Sequence, residues 1–292
     1  MNETKGIILA AGRASRLFPI TFAVNKQLLA IYDKPMIYYP LSVLMLAQIK
    51  DVLLITRKED LQSFKALLGN GKKLGMKISY AIQKKPRGIA DAFIIGKNFI
   101  GKNNVALILG DNFFYGESLT KKLKKCVKLN KGAQVILHWV NNPSSYGVAK
   151  INNKNKIVKI IEKPKKAFSN LAVTGLYFFD NNVINYCENL KPSKRNEIEI
   201  VDLLNKYKMK NKLSAEFLGR GGAWLDTGSI KDFYNASAFV SALEKRQGLK
   251  IACLEEIAFN NKWIKKNNIV EAIKFYGKCN YSNYLSALIK KS

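Results

Sequence analysis

Apolar Ile7 to Ala10 make a short run that breaks at Ala11, Gly12, Ala14 and Ser15, residues too small to continue a buried strand. Similar runs recur as VLLIT, KISYAI, VALIL and QVILHW. Segments of helical spacing separate them, at Leu41 to Ile49, Asp60 to Leu68, Ile89 to Phe99 and Leu119 to Leu129. Strands alternating with helices predict βαβ units and a largely parallel sheet, and ligands of such open sheets bind outside the carboxyl ends of the strands. The loop after the first strand, Gln83 to Gly88 after the third and Asp111 after the fourth are therefore expected along one edge.

The pattern changes between about Tyr146 and Phe179. GVAKI, KIVKII and AVTGLYFF, joined by the polar turn Asn152 to Lys156, predict an antiparallel insertion that carries Glu162, Lys163 and Pro164. Helical spacing resumes near Ile198, GRGGAWLDTG from Gly219 to Gly228 reads as a Gly-rich turn, and Ser229 to Ser292 is mostly helical and amphipathic. No repeat or linker interrupts the chain. The expectation is one α/β domain over residues 1–292, with a Rossmann-like, mixed and mostly parallel sheet flanked by helices and with parts at 1–140, 141–228 and 229–292.

Composition narrows the function classes. A hydrophobic fraction of 48% over 292 residues is ample for a core. No apolar run nears the roughly 20 residues that span a bilayer, and the stretch after Met1 to Lys5 is too short for a signal peptide, so a cytoplasmic protein without a membrane partner is expected. Cys126, Cys187, Cys253 and Cys279 lack paired spacing and read as core thiols. His138 is the only histidine and lies in VILHW; it reads as a core residue, which disfavours a His-based triad or metal cluster. The net charge of +28 suggests nucleic acid, but lysines occur in every segment. The run Lys121, Lys122, Lys124, Lys125 and Lys128 reads as a solvated helix face, and no nucleic-acid partner is expected.

Candidate chemistry gathers at the predicted edge. Arg16 lies in the first loop and Lys26 ten residues on, so a guanidinium and an ammonium can converge on a polyphosphate; two solvated cations beside a turn fit the same local pattern. The final Gly-Lys-Ser/Thr of a P-loop is absent. Asp111 and Asp226 are carboxylates with no useful His, a donor set that suits Mg²⁺ held by one or two carboxylates plus substrate phosphates. Each alone also fits a cap or turn. Gln83 offers an amide that can read the imide edge of uracil or thymine, or simply bridge loops. Glu162 and Lys163 put an acid and a base just before the chain-stiffening Pro164, and Arg195 lies in the polar loop SKRNEIE; each also fits mere surface charge.

The blocks GIILAAGRASRL, NKQLLAIYDKPMIYYPLSVLM, GDNFFYG, YGVAK, EKP, GLYFFD, RGGAWLDTG and EKRQGLKIACLEEIAF occur in an order that closely resembles the glucose-1-phosphate thymidylyltransferases, a branch of the sugar nucleotidyltransferases. The resemblance covers essentially the whole chain. It implies a nucleotide-binding part, a sugar-binding part and a helical C-terminal part. It implies that dTTP and glucose 1-phosphate are converted to dTDP-glucose, the first step toward dTDP-rhamnose and related surface-polysaccharide sugars, with Mg²⁺ as cofactor and a dimer of dimers as assembly. By position, Arg16 and Lys26 match triphosphate and pyrophosphate contacts. Gly12, Gln27, Gln83, Pro86, Gly88 and Asp111 match nucleotide contacts, and Asp111 and Asp226 match the metal ligands. Tyr146, Gly147, Glu162, Val173 and Tyr177 match sugar contacts, and Lys163 and Arg195 hold the sugar phosphate. Tyr115, Gly116, Arg220, Lys250, Ile251, Glu256, Ile257 and Asn260 match a regulatory nucleotide-sugar site.

Departures are visible. Ala11, Ala14 and Ser15 replace two glycines and a threonine of the usual loop, Asp91 stands where Gln is expected, and Ala30 where Pro is expected. At the regulatory site Glu117 and Asn260 replace His and Arg, leaving Lys250 or Lys262 to compensate. Within the enzyme class a pyrophosphorylase using UTP or another sugar 1-phosphate is the alternative. Outside it stand a catalytically inert nucleotide-sugar-binding regulator and, on charge alone, a nucleic-acid-binding module.

Overall fold

The computed structural model describes residues 3–129 and 131–291. In chain order the strands are β1 (Thr4–Ala10), β2 (Ala30–Ile31), β3 (Lys34–Pro35), β4 (Asp51–Thr56), β5 (Lys77–Ile82), β6 (Asn104–Leu109), β7 (Asn112–Gly116), β8 (Ala133–Trp139), β9 (Gly147–Ile151), β10 (Ile157–Glu162), β11 (Leu171–Phe179), β12 (Leu213–Phe217) and β13 (Gly222–Asp226). The helices are α1 (Tyr38–Leu46), α2 (Leu61–Leu68), α3 (Asp91–Ile95), α4 (Lys97–Ile100), α5 (Leu119–Val127), α6 (Val183–Glu188), α7 (Ile200–Met209), α8 (Ile230–Gln247), α9 (Leu254–Asn260), α10 (Lys266–Tyr276) and α11 (Asn280–Lys291). None is long and apolar enough to cross a membrane among the described residues.

Strands β5, β4, β1 and β6 pair in parallel, so their carboxyl ends share one edge, as the alternating pattern predicts. Burial on both faces explains why β1, β4 and β6 are nearly continuous apolar runs, whereas β5, at the edge of the sheet, is only partly buried. Successive side chains feed opposite layers: Ile7 and Leu107 pack in one cluster with Phe93, Phe179 and Tyr207, whereas Ile8 and Ile108 pack in the other with Leu44, Phe178 and Leu254.

The antiparallel segment is not a separate layer. Strand β11 pairs with β6 through Leu176–Phe179 and with β9 through Leu171–Val173, while its other edge lies against β8, so β9 and β10 extend one nine-stranded sheet. Strand β12 adds to β8 in parallel. Neither β12 nor α6 stands out in the sequence pattern, because each is short and borrows its apolar face from neighbours.

Three expectations are corrected. Residues Gly222 to Asp226, read as part of a Gly-rich turn, form strand β13, whose backbone groups are satisfied by antiparallel pairing with β7. Cys126, Cys187 and Cys253 are core thiols, but Cys279 is exposed. On α5, Lys122 donates to the carbonyls of Phe217 and Leu218 and Lys125 pairs with Glu216, so that face is partly a seam against β12. His138 is half-buried with its ring edge-on to Trp224, and its Nδ1 has no partner among the described residues.

Candidate functional site

The first loop is held at both ends. Ala14 sits at φ 50°, ψ 39°, where its carbonyl accepts from Thr21 Oγ1 at 2.9 Å, and a 3₁₀ turn at Ser15–Leu17 presents Arg16 to solvent. At the far end Asn25 accepts from Gln27 N at 2.9 Å and donates to Asp60 Oδ2 at 2.7 Å and to the Ala10 carbonyl at 3.3 Å. These bonds bury Lys26 and Gln27 beneath the strand ends. Gln27 Oε1 accepts nothing from the described residues, although the side chain is 5% exposed. A buried acceptor left open is costly and suits a ligand donor. Gly12 has open space where a Cβ would stand.

Left-handed backbone costs an L-residue roughly 1–2 kcal/mol that Gly avoids, against about 0.4–1 kcal/mol of extra unfolded-state entropy for Gly. Ala14→Gly is therefore expected to stabilise the protein slightly, by up to about 1 kcal/mol, read as a melting temperature about 2 °C higher. A lower melting temperature would show that Ala14 is not strained.

The two carboxylates meet through the β7–β13 ribbon. Asp226 pairs in register with Asn112, and Thr227 donates its hydroxyl to the Asp111 carbonyl at 3.1 Å. Asn112 locks this corner: its Oδ1 accepts from Trp224 Nε1 at 2.6 Å and from Gly175 N at 3.1 Å, and its amide donates to Asp111 Oδ1 at 3.0 Å. Only glycine fits at 175, since a Cβ there would lie 2.5 Å from Asn112 Oδ1. The Lys26 ammonium reaches Asp111 Oδ2 at 2.8 Å.

Electrostatics separates the pair. Burial opposes ionisation of Asp111, but the Lys26 charge and hydrogen bond outweigh it and hold the carboxyl below its usual range. Burial, then the Asp111 charge, push Asp226 up to about 7, with Lys26 and Arg16 pulling the other way. Arg16 is thus within electrostatic reach of Asp226. Among the described residues no group of three or more His, Cys, Asp or Glu side chains could hold a metal. A pair of mutually repelling hard oxygen donors fits an oxygen-preferring divalent cation that also takes ligands from its substrate.

Gln83 extends the β4–β5 edge, donating its backbone N–H to Thr56 O at 2.9 Å. The following loop is exposed through Pro86, while Gly88, at φ 99°, packs against the backbone of Ile198; a Cβ there would fall 2.5 Å from the Ile198 carbonyl oxygen. The Gln83 amide donates to Asp91 Oδ2 at 3.0 Å.

The sugar-side residues also converge. Gly147 is paired with Glu162 on β10 and with Val173 on β11, and a Cβ at 147 would lie 3.3 Å from Glu162 Oε2. Burial raises Glu162, with Lys163 and Arg195 opposing the shift. Tyr177 is buried and its hydroxyl is raised first by that burial and then by the Glu162 charge. Lys163 takes φ 41° and bonds its N–H to the Tyr146 carbonyl at 3.0 Å. Tyr146 stands edge-on to Trp224 at 4.9 Å, which ties this wall to Asn112 and the carboxylates. Arg195 is not a loose surface charge: it grips Glu199 through two bonds, at 3.1 and 2.8 Å, and lies 3.8 Å from Glu162.

The positions expected to be regulatory are spread over β7, the loop before β13 and the α8–α9 region. The Tyr115 hydroxyl donates to Gln247 at the end of α8, Gly116 closes β7 opposite Gly222, and Arg220 lies in the exposed loop before β13. Ile251 N donates to Glu244, Glu256 accepts from Tyr284, Ile257 packs on the core and Asn260 is exposed. Lys250, expected as a compensating cation, is occupied by Asp33 and Glu244.

Sequence reasoning missed Asn25, Asn112 and Trp224 as organisers of the site. Their signal is spatial: each acts by bonding a residue distant in sequence or on another strand.

Residues 5–242 match the family model for nucleotidyl transferases. The chain is 52% identical over 287 residues to a glucose-1-phosphate thymidylyltransferase of Neisseria meningitidis, covering 98% of this chain and all of that protein. It is 47% identical to one of Mycobacterium tuberculosis, covering 99% of this chain and all of that protein. A solved Bacillus anthracis structure named for the same activity superposes with a TM-score of 0.76 at 39% identity, over 81% of this chain and 94% of that one. A UDP-glucose pyrophosphorylase solved with UDP-glucose superposes with a TM-score of 0.71 at 28% identity, over 85% of this chain and all of that one.

Proposed function

Because this chain belongs to the nucleotidyl transferase family, among its glucose-1-phosphate thymidylyltransferases, we propose that it makes dTDP-glucose and pyrophosphate from dTTP and α-D-glucose 1-phosphate. The observation that carries the site assignment is the Lys26–Asp111 pair beside Asp226, set at the carboxyl edge of the parallel strands and within reach of Arg16.

A phosphate oxygen of the sugar phosphate attacks the α-phosphorus of dTTP, and the bond from that phosphorus to the bridging oxygen of the β-phosphate breaks as pyrophosphate leaves. The attacking group is already anionic, so no general base is needed. Arg16 and Lys26 grip the triphosphate and offset the charge that develops on the leaving group. Gln83, Pro86 and Gly88 take the base, with Gly12 and Gln27 along the nucleotide. Glu162, Tyr146, Gly147, Val173 and Tyr177 seat the sugar, while Lys163 and Arg195 hold its phosphate and aim the nucleophile. Asp111 and Asp226 would hold Mg²⁺, which when bound offsets negative charge at the reacting phosphate. The same reading includes a dimer of dimers and, because the substrates are nucleotides of intermediary metabolism, a cytoplasmic enzyme.

Pyrophosphate release over a matrix of nucleotides and sugar 1-phosphates tests the proposal. Highest kcat/KM is expected for dTTP with glucose 1-phosphate; a clear preference for UTP would replace this reading with that of a UDP-sugar pyrophosphorylase. Lys163→Ala is expected to raise KM for the sugar phosphate about tenfold or more while changing KM for dTTP little, since a lost charge-assisted hydrogen bond is worth roughly 1.5–3 kcal/mol. Equal defects toward both substrates would remove Lys163 from the sugar-phosphate contact.

A further inference from the structure

Asp91 opens α3 eight residues beyond Gln83 and is 3% exposed, while Gln83 is 8% exposed. One Asp91 oxygen takes the Gln83 amide N–H at 3.0 Å; the other lies 4.0 Å from Arg87 Nε in the same loop. An ionised carboxylate only accepts hydrogen bonds, so it admits the NH₂ end of the Gln83 amide and repels the carbonyl end. The amide of an unrestrained glutamine can turn over at little cost, and it then presents donor and acceptor in either order. Here it cannot. The bond to Asp91 is the one hydrogen bond of the Gln83 side chain among the described residues, so the second N–H and the carbonyl oxygen remain as a donor–acceptor pair of fixed polarity.

We propose that Asp91 is a specificity-positioning residue, which fixes the Gln83 amide in the one orientation that pairs with a pyrimidine bearing a ring N3–H beside a carbonyl and excludes cytosine. The inference rests on Gln83 being the base contact. Thymine and uracil present N3–H flanked by carbonyl oxygens, which the fixed carbonyl and N–H of Gln83 match. Cytosine presents an unprotonated N3 beside an amino group, so carbonyl would face lone pair and N–H would face N–H. Cytosine has nearly the same size as uracil, so pocket volume discriminates the two poorly and the polarity of this amide must do so. Asp91 therefore separates imide bases from cytosine without touching the nucleotide.

The test is the ratio of kcat/KM for dTTP to that for dCTP, measured with glucose 1-phosphate for the unaltered protein, Asp91→Asn, Asp91→Leu and Gln83→Leu, with melting temperatures alongside. Asn keeps the shape but offers donor or acceptor, and Leu removes the acceptor. Both are expected to lower the ratio about tenfold or more, through a fall for dTTP and a rise for dCTP. A merely structural role for Asp91 would depress both nucleotides together and leave the ratio in place. If Gln83→Leu collapses the ratio while whichever Asp91 variant folds preserves it, the proposed role of Asp91 is overturned and the base contact stands. If Gln83→Leu itself leaves the ratio unchanged, Gln83 does not read the base and both readings fall.

Discussion

Asp111→Asn and Asp226→Asn are each expected to lower kcat by about a thousandfold or more, and to move stability in opposite directions. Either change removes half of the anionic donor set at the carboxyl edge of the sheet, which is the basis for the shared loss of turnover. Stability separates them because Lys26 bonds Asp111 directly, whereas the Asp226 charge is opposed first by burial and then by Asp111. Losing Asp111 strips a 3%-exposed ammonium of its closest partner, at a cost of about 1–3 kcal/mol. Asp226 behaves in the reverse way. Its carboxyl titrates near 7 in the folded protein against 3.8 for the ordinary side chain, so the folded state binds the proton more tightly than the unfolded one. That contribution is full below about pH 4 and is lost as pH rises toward 7. Asp226→Asn abolishes this slope. In the presence of a chelator at pH 8 it is therefore expected to melt about 2 °C or more above the parent, a gain on the order of 1 kcal/mol, and the advantage should vanish near pH 4. Thermal melts of both variants across this range, with steady-state rates at saturating magnesium, check the pair. A destabilised Asp226→Asn at pH 8 would show that its charge is not opposed by burial and Asp111.

The second large effect is expected at Lys26. Lys26→Ala removes the cation that meets the triphosphate in the proposed mechanism, and kcat should fall about 100- to 1000-fold, the range seen when one preorganised donor to developing charge is deleted. The defect should weigh on dTTP and not on glucose 1-phosphate, opposite to Lys163→Ala. Stability should fall too, by about 3 kcal/mol, because Asp111 and Asp226 then face each other with less compensation. Lys26 keeps the folded-state pKa of Asp111 below its unfolded value, so its stabilisation is present above about pH 4 and is lost only as acid titrates Asp111. The gap in melting temperature between parent and Lys26→Ala should accordingly be widest near neutrality and close in acid. Lys26→Arg is expected to be a poor rescue, since it puts a planar guanidinium fork in place of a compact ammonium at a 3%-exposed position. Full activity in Lys26→Arg would argue against so confined a contact.

Burial of the Lys26–Asp111 pair also limits what sequence could reveal, since its partners stand 85 positions apart. By itself the sequence determined the parallel half of the sheet, because β1, β4 and β6 are buried on both faces and, with the partly buried edge strand β5, write themselves as apolar runs separated by helical periods. With a single histidine in the chain, it also pointed to oxygen donors and cations as the candidate chemistry, since residue type needs no coordinates. The order of its blocks carried the family. Tertiary structure alone decided the rest. Residues Gly222 to Asp226 look like a turn until β7 pairs with them, and that pairing is what brings Asp226 to Asp111. Arg195 reads as a surface charge until Glu199 and Glu162 surround it, and Lys250 reads as a spare cation until Asp33 and Glu244 take it. Asp91 reads as an isolated departure from pattern until it closes on Gln83. Local periodicity records which face of a segment is buried, a property of neighbours along the chain. Charge pairing, amide orientation and the shift of Asp226 depend on which strand ends meet in space, and only the order of strands in the sheet specifies that.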